Sequence, residues 1–416
     1  MGRILTAAIL LVSLWSSVTG AIAIDNFTSS TNDRFANSGS FLLNSWNLSA
    51  IAKNQSGWGT LISDNVIISA NHLHPAVGSV LNFYKDNDPT GTPFEREIVS
   101  GQRIAASDIW LGVLSDPLPP DVQPLPFMTD TISSELRFRT VGLEDETGYM
   151  VGRSPSSFAT DLDMAVGENI LEYWWGPFDT AGTNDMAIVA IQQLSTDSGY
   201  LFNESKLNIG DSGGPLLAVV DGDLKVVGIN WFNGYVTQGS TTRDLSGFSY
   251  VGNYASELNT VISDNASNVP GGFWTWAESL FGSSITSPLA APARDFDGDD
   301  LSNFVEYAFC LDAVSAANPF VMQIGQNQVG DDLFLQASLL LREDSDLQFT
   351  IYLGSDLSSM SAISMVFTGN SWSSAQPTKL TVTASTEVTD GVWSVTVQDA
   401  SAVLPGQTRF FRAGVE

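Results

Sequence analysis

The chain has 416 residues, 43% hydrophobic and only 15% charged. That is more chain than one hydrophobic core usually holds and too apolar for a disordered protein, so two folded domains are expected. Seventeen Lys and Arg against 46 Asp and Glu leave a net charge of -29, which repels phosphate backbones and anionic lipid and argues against a nucleic-acid partner.

At the N-terminus, Arg3, the apolar run Ile4 to Trp15 and the small residues of Ala21-Ile22-Ala23 read as a signal peptide over residues 1–23, cut after Ala23 or Ala21. The run is short for a bilayer crossing and no later stretch is long and apolar enough, so an exported chain without a membrane span is expected, secreted or held at the cell surface. The single cysteine, Cys310, cannot close an internal disulfide and reads as a small core residue, so stability must come from packing and from metal.

Residues 24–264 show short apolar or alternating runs broken by Gly, Asn, Asp and Pro, the rhythm of an all-β domain. Val66 to Ile68, Ile109 to Leu114, Met186 to Ile191, Leu216 to Val220 and Val226 to Trp231 are expected strands. Leu258, Val261 and Ile262 predict a closing helix over Tyr254 to Ser263. Residues 265–294, rich in Asn, Ser, Gly and Pro around an amphipathic patch from Phe273 to Phe281, read as a linker. An acidic loop and a short helix over Leu301 to Phe309 fill residues 295–310. The alternation of Leu347, Phe349, Ile351 and Leu353, and of Trp393, Val395 and Val397, then predicts a small β-sandwich over residues 311–416.

The chemistry concentrates in Gly210-Asp211-Ser212-Gly213-Gly214-Pro215. A serine framed by glycines on a tight turn exposes its hydroxyl while neighbouring amides converge on one point, a geometry suited to acyl transfer. Such a hydroxyl needs a base, and the chain holds only two histidines, His72 and His74.

These segments resemble, in the same order, the trypsin-like (chymotrypsin-fold, S1 family) serine proteases. Gly-Asp-Ser-Gly-Gly-Pro is that family's nucleophile motif, Ser69-Ala70-Asn71-His72 is similar to its histidine motif, and Asp108-Ile109-Trp110-Leu111 resembles its aspartate segment. The resemblance implies a double six-stranded β-barrel and a secreted endopeptidase in which Ser212 attacks the scissile carbonyl, His72 moves the proton and Asp108 orients the imidazole. The amides of Gly210 and Ser212 would form the oxyanion hole, with no cofactor needed for catalysis and peptides or proteins as substrates. The alternative is a catalytically silent relative that survives as a binding or adhesion module.

The same resemblance places Asn230, Trp231 and Phe232 along the substrate strand, with Phe232 narrowing the pocket, and Lys206 at the pocket floor, where a buried ammonium would favour an acidic side chain. It also implies activation by a new N-terminal amine paired with Asp211, supplied by Ile24 if cleavage follows Ala23. Further on, Asp295, Asp297, Asp299, Asn303 and Glu306 put oxygen ligands at calcium-loop spacing. The segment is similar to the calcium loops of thrombospondin type 3 and dockerin-like repeats and implies a structural Ca2+. A cell-surface ligand is one expectation for the domain that follows.

Overall fold

The computed structural model describes residues 20–415 apart from 157, 181, 182, 239, 240, 267, 268, 270, 317–321, 357, 369 and 405–408. The apolar N-terminal run therefore lies outside the described residues. The chain divides into two compact units, Met1–Ser267 and Asn268–Glu416.

The first unit is built mainly of antiparallel β-strands. Six antiparallel strands, β1 (Ile51–Lys53), β2 (Trp58–Leu61), β3 (Val66–Ala70), β4 (Val80–Phe83), β5 (Phe94–Arg103) and β6 (Ile109–Leu114), close a barrel in the order β1-β2-β3-β6-β5-β4. The expected strands at 66–68 and 109–114 are both present, because their β-branched and aliphatic side chains, Val113 apart, are buried.

Seven strands follow: β7 (Thr147–Gly152), β8 (Ala165–Ile170), β9 (Tyr173–Thr180), β10 (Thr183–Ile191), β11 (Pro215–Val220), β12 (Asp223–Gln238) and β13 (Thr241–Tyr250). Their order is β9-β10-β13-β12-β11-β7-β8. Leaving β9 aside, this repeats the first barrel's path, but the sheet stays open between β8 and β10 because β9 takes the free edge of β10. β9 also carries aromatic rings onto the outer face of the sheet, where Trp175 and Phe178 join Val189, Trp231, Val236 and Leu245 in an apolar cluster separate from the main core. Helix α1 (Ala255–Asp264) closes the unit through buried Leu258 and Val261, as the sequence spacing predicts.

A segment before the first barrel ties its halves together. Ala23–Ile24 pairs with Ser205–Lys206. Arg34 is fully buried, its guanidinium donating to the Ile51 and Tyr84 carbonyls and to Asn87 Oδ1 at 2.9–3.0 Å. Burial lowers its pKa to about 9.

The second unit contains two four-stranded sheets. Strands β14 (Met322–Val329), β15 (Asp332–Arg342), β16 (Phe349–Gly354), β17 (Ser361–Phe367), β18 (Trp372–Ser374), β19 (Leu380–Thr389), β20 (Val392–Ala402) and β21 (Phe410–Val415) pair as β14-β15-β20-β19 and β18-β17-β16-β21. The alternating residues Phe349, Ile351, Val395 and Val397 all face the core between them. The stretch expected to be a linker is folded instead: α2 (Gly271–Phe281) buries Phe273 and Ala277 in this unit's core. Its Phe281 ring stacks on Phe296 of the acidic loop with centroids 4.5 Å apart. The short α3 (Asn303–Ala308) follows that loop, capped by the Ser302 hydroxyl.

Candidate active site and acidic loop

Strand register brings His72 and Asp108 together. Ala70 at the end of β3 lies opposite Ile109 at the start of β6, so the residues just beyond these strands are level. The Asn71 amide donates to the Asp108 carbonyl at 2.9 Å. The His72 amide donates to Asp108 Oδ1 at 3.0 Å, and His72 Nδ1 lies 2.6 Å from Oδ2. The Asp108 carboxylate is 1% exposed while the imidazole is 38% exposed. A carboxylate acceptor holds the proton on Nδ1, which leaves Nε2 with a lone pair toward solvent, the tautomer a general base needs.

His74, the other histidine, has a structural place. Its ring stacks on Trp110 at 4.1 Å and 7°, and its Nδ1 lies 2.9 Å from the Pro75 carbonyl. Trp110 lies against Gly101 and Gly112, where a β-carbon would come within 1.9–2.6 Å of the indole. The stack therefore fixes the His72–His74 turn against β6, the strand that Asp108 precedes.

The Gly210–Pro215 turn packs on that same segment. Gly213 has φ +84°, and a β-carbon there would lie 2.7 Å from Ser69 Oγ and 2.9 Å from the Leu73 carbonyl, so only glycine fits. Ser212, half-buried, immediately precedes this contact. Its Oγ has no hydrogen-bond partner among the described residues. The amides of Asp211, Gly213 and Gly214 are committed to the carbonyls of Asn208, Asn230 and Asp211. Those of Gly210 and Ser212 have no acceptor among the described residues, which leaves two amides flanking Asp211 for an oxyanion. Trp58 Nε1 donates to the Gly210 carbonyl at 3.3 Å and orients that peptide.

Asn230 is a brace of this turn, not a substrate-facing group. It is fully buried, its Nδ2 donates to the Val151 and Asp211 carbonyls at 2.7 and 2.8 Å, and its backbone pairs with Gly213 and Gly214. Trp231 and Phe232 pack in the outer aromatic cluster, with Phe178 5.2 Å from Phe232 in an edge-on arrangement. The Phe232 ring lies directly over Gly247. Lys206 does not form a pocket floor: it lies in the short ribbon with Ala23, and its ammonium meets Asp244 at 2.5 Å.

Asp211 is fully buried. Its Oδ1 accepts the Arg153 amide and its Oδ2 the Asn208 amide, each at 2.7 Å, yet burial pushes its pKa up to about 7. The N-terminal segment approaches this carboxylate at Ile22, while Ile24 lies beside Gly167. Ile22 is 1% exposed, its amide donates to the Arg153 carbonyl at 3.0 Å, and the space above Gly152 is filled by Asp211 Oδ1 and Ile22 Cβ together. Ile24 instead pairs with Ser205.

In the second unit, Asp295, Asp297 and Asp299 bring carboxylate oxygens within 4.8 Å of one another. Asp295 accepts the amides of Gly298, Asp299 and Asp300. Both Asp297 oxygens are buried with no hydrogen-bond partner among the described residues, and partial burial and the nearby Asp299 push that carboxyl up. Asp300 takes φ +74°, the conformation for which glycine is usual at this point of a calcium loop. The other two expected ligands are placed differently. The Asn303 side chain donates to the Leu289 and Ala291 carbonyls and accepts the Phe296 amide. Glu306 is fully buried on α3 and outside the three-carboxylate cluster.

Sequence reasoning passed over Ile22, the aromatic strand β9 and Asp185, a buried carboxylate at the start of β10 whose oxygen accepts the Asp108 amide. An acidic residue heading the apolar run 186–191 was the available signal for the last.

Three carboxyls, Asp211, Glu172 and Glu204, are each raised by burial to about 7. Each binds a proton in the folded chain that it has lost in the unfolded chain between about pH 4 and pH 7, so folding stability falls as pH rises through that window. Thermal melting of Asp211→Asn against the parent chain is expected to show a shallower fall between pH 4 and 7; equal slopes would refute the assignment for Asp211.

No family model matches the chain, and no curated protein does. Among solved structures, an inactive variant of the murine norovirus NS6 protease with a C-terminal extension is similar at 13% identity and a TM-score of 0.31, covering 49% of this chain and 91% of that one. The NS6 protease from murine norovirus 1 gives 13% and 0.29 over 49% and 90%, and a chimeric NS6 protease 15% and 0.30 over 49% and 94%.

Proposed function

We propose that the first unit is an exported serine endopeptidase. The observation that carries this reading is the 2.6 Å pair between the exposed imidazole of His72 and the buried Asp108, with the Gly-Asp-Ser-Gly-Gly turn packed on the same segment. In this reading His72 Nε2 removes the Ser212 proton as Oγ attacks a peptide carbonyl. The amides of Gly210 and Ser212 receive the oxyanion, and the proton passes to the leaving amine as the acyl-enzyme forms. Water, activated by the same imidazole, then releases the acid. Asp108 keeps the tautomer and stabilises the imidazolium.

A fluorophosphonate probe is expected to label the parent chain and not Ser212→Ala. Asp108→Asn is expected to slow labelling by roughly 10³–10⁴-fold through the wrong tautomer. Absence of labelling in the parent would favour a silent peptide-binding module.

The geometry around Asp211 refines the activation reading. A chain cut after Ala21 begins with Ile22, whose ammonium would then lie beside a buried carboxylate that holds only backbone donors, and the ion pair would lower the carboxyl's raised pKa. Mass spectrometry of the exported protein is expected to find Ile22 at its N-terminus, and one extra residue ahead of it is expected to cut the labelling rate at least tenfold. Full activity with the extension would remove this part of the proposal.

For the second unit we propose a structural calcium ion held by Asp295, Asp297 and Asp299, with Asp297 supplying buried oxygens that have no geometric hydrogen-bond partner among the described residues. The ion would hold the loop that carries Phe296 onto α2. Calcium is expected to raise the melting temperature of chelator-treated protein by several degrees, and Asp297→Asn to abolish that rise; a melt indifferent to calcium would rule the ion out.

A further inference from the structure

Behind the His72–Asp108 pair lies a second buried carboxylate with no part in the mechanism above. Asp185 is 2% exposed. Its Oδ2 accepts the amide of Asp108 itself at 3.3 Å and the hydroxyl of Ser249 on β13. Its Oδ1 accepts the Tyr254 hydroxyl at 2.7 Å and the Met186 amide at 2.8 Å. The polar path thus runs from the imidazole to the Asp108 carboxylate, through that residue's own amide, to Asp185.

Four donors from four different residues converge on this one carboxylate. An apolar side chain at the start of β10 would meet the packing requirement without the desolvation cost of a charge. The donors are what keep a charge tolerable there: burial raises the carboxyl's pKa, and the Ser249 and Tyr254 hydroxyls work against that rise. The site also joins the two halves of the unit, because Asp108 heads a strand of the closed barrel while Asp185 and Ser249 belong to the open sheet.

We propose that Asp185 is a positioning residue for the proton relay, holding the Asp108 amide so that the Asp108 carboxylate faces His72 and adding negative charge that favours the imidazolium. This rests on reading His72 and Asp108 as base and orienting carboxylate. The other charged and titratable groups around it are Asp108, the Tyr254 phenol, Glu257 at the start of α1 and Arg103, whose guanidinium donates to Thr183 Oγ1 at 3.0 Å at the head of β10. On the histidine side stands His74, stacked on Trp110. None of these replaces the hydrogen bond that the Asp108 amide donates to Asp185.

Two histidines in the whole chain make the test direct. In full-length protein carrying 13C-labelled histidine, with His74→Gln to assign the signals, the NMR titration of His72 is compared between the parent and Asp185→Asn. Removing a nearby negative charge is expected to lower the His72 midpoint by roughly 0.5–1 pH unit and leave His74 in place. The acid limb of the fluorophosphonate labelling profile moves with it, and the labelling rate at neutral pH falls severalfold. An unchanged His72 midpoint in folded Asp185→Asn would overturn the inference. If that variant does not fold, Ser249→Ala and Tyr254→Phe weaken the same carboxylate, and a smaller shift in the same direction is expected; no shift in either overturns it. A shift in His72 without any labelling of the parent supports the coupling and counts against the endopeptidase reading, so the two claims fail separately.

Discussion

The hydrogen bond between the exposed imidazole of His72 and the buried carboxylate of Asp108 is the interaction on which the chemistry proposed for the first unit depends. Neither residue lies within a strand, so their meeting is decided by the register of β3 against β6. β3 is buried on both faces, so a slip of one residue would exchange those faces and set Val66, Ile67 and Ile68 against the wrong neighbours in the core. The apolar pattern of that strand therefore enforces the polar contact beyond its end. The Trp110–His74 stack adds a second restraint, since it grips the turn two residues after His72 from the strand that follows Asp108.

The glycine turn is fixed by a different logic. Its position comes from backbone pairing with Asn230, and its conformation from the Asp211 carboxylate, which accepts the amides of Asn208 and Arg153. Asn230 contributes by reaching both the Val151 and Asp211 carbonyls, so β12, β7 and the Gly210–Pro215 turn are joined through one amide side chain. Three of the turn's amides are used up in this way. The two left over, from Gly210 and Ser212, are those an oxyanion would require.

The motifs around His72, Asp108 and Ser212 were legible because they combine rare residue types with a specific order, and the flanking strands were legible because buried β-branched runs leave a strong pattern. Other features were not legible, for physical reasons. Asn230 Nδ2 and the Lys206 ammonium find partners, Val151 and Asp244, that are distant in sequence, and only folding reveals that these donors are already engaged. The stretch 265–294 has linker composition, but its aromatic residues lie on α2 and reach a core built from residues up to 140 positions later. The strand β9 is dense in Trp and Phe, and nothing local shows that it takes the edge of β10 and leaves the second barrel open.

Buried carboxylates recur through the first unit, and the way each is satisfied separates their roles. Asp108 meets the exposed imidazole of His72. Asp185 is surrounded by neutral hydroxyl and amide donors and presents its remaining field to Asp108. Asp211 has two backbone amides and a pKa near neutrality, and it is the one of the three beside a segment where chain cleavage would create an amine. These three are not alone, since Asp33, Asp116, Asp163 and Glu204 are buried as well, and each interior carboxylate carries a desolvation cost that a surface position would avoid. What Asp108, Asp185 and Asp211 have in common is position: they lie beside His72, the start of β6 and the Gly210–Pro215 turn, where a fixed charge in a dry setting acts most strongly on a proton.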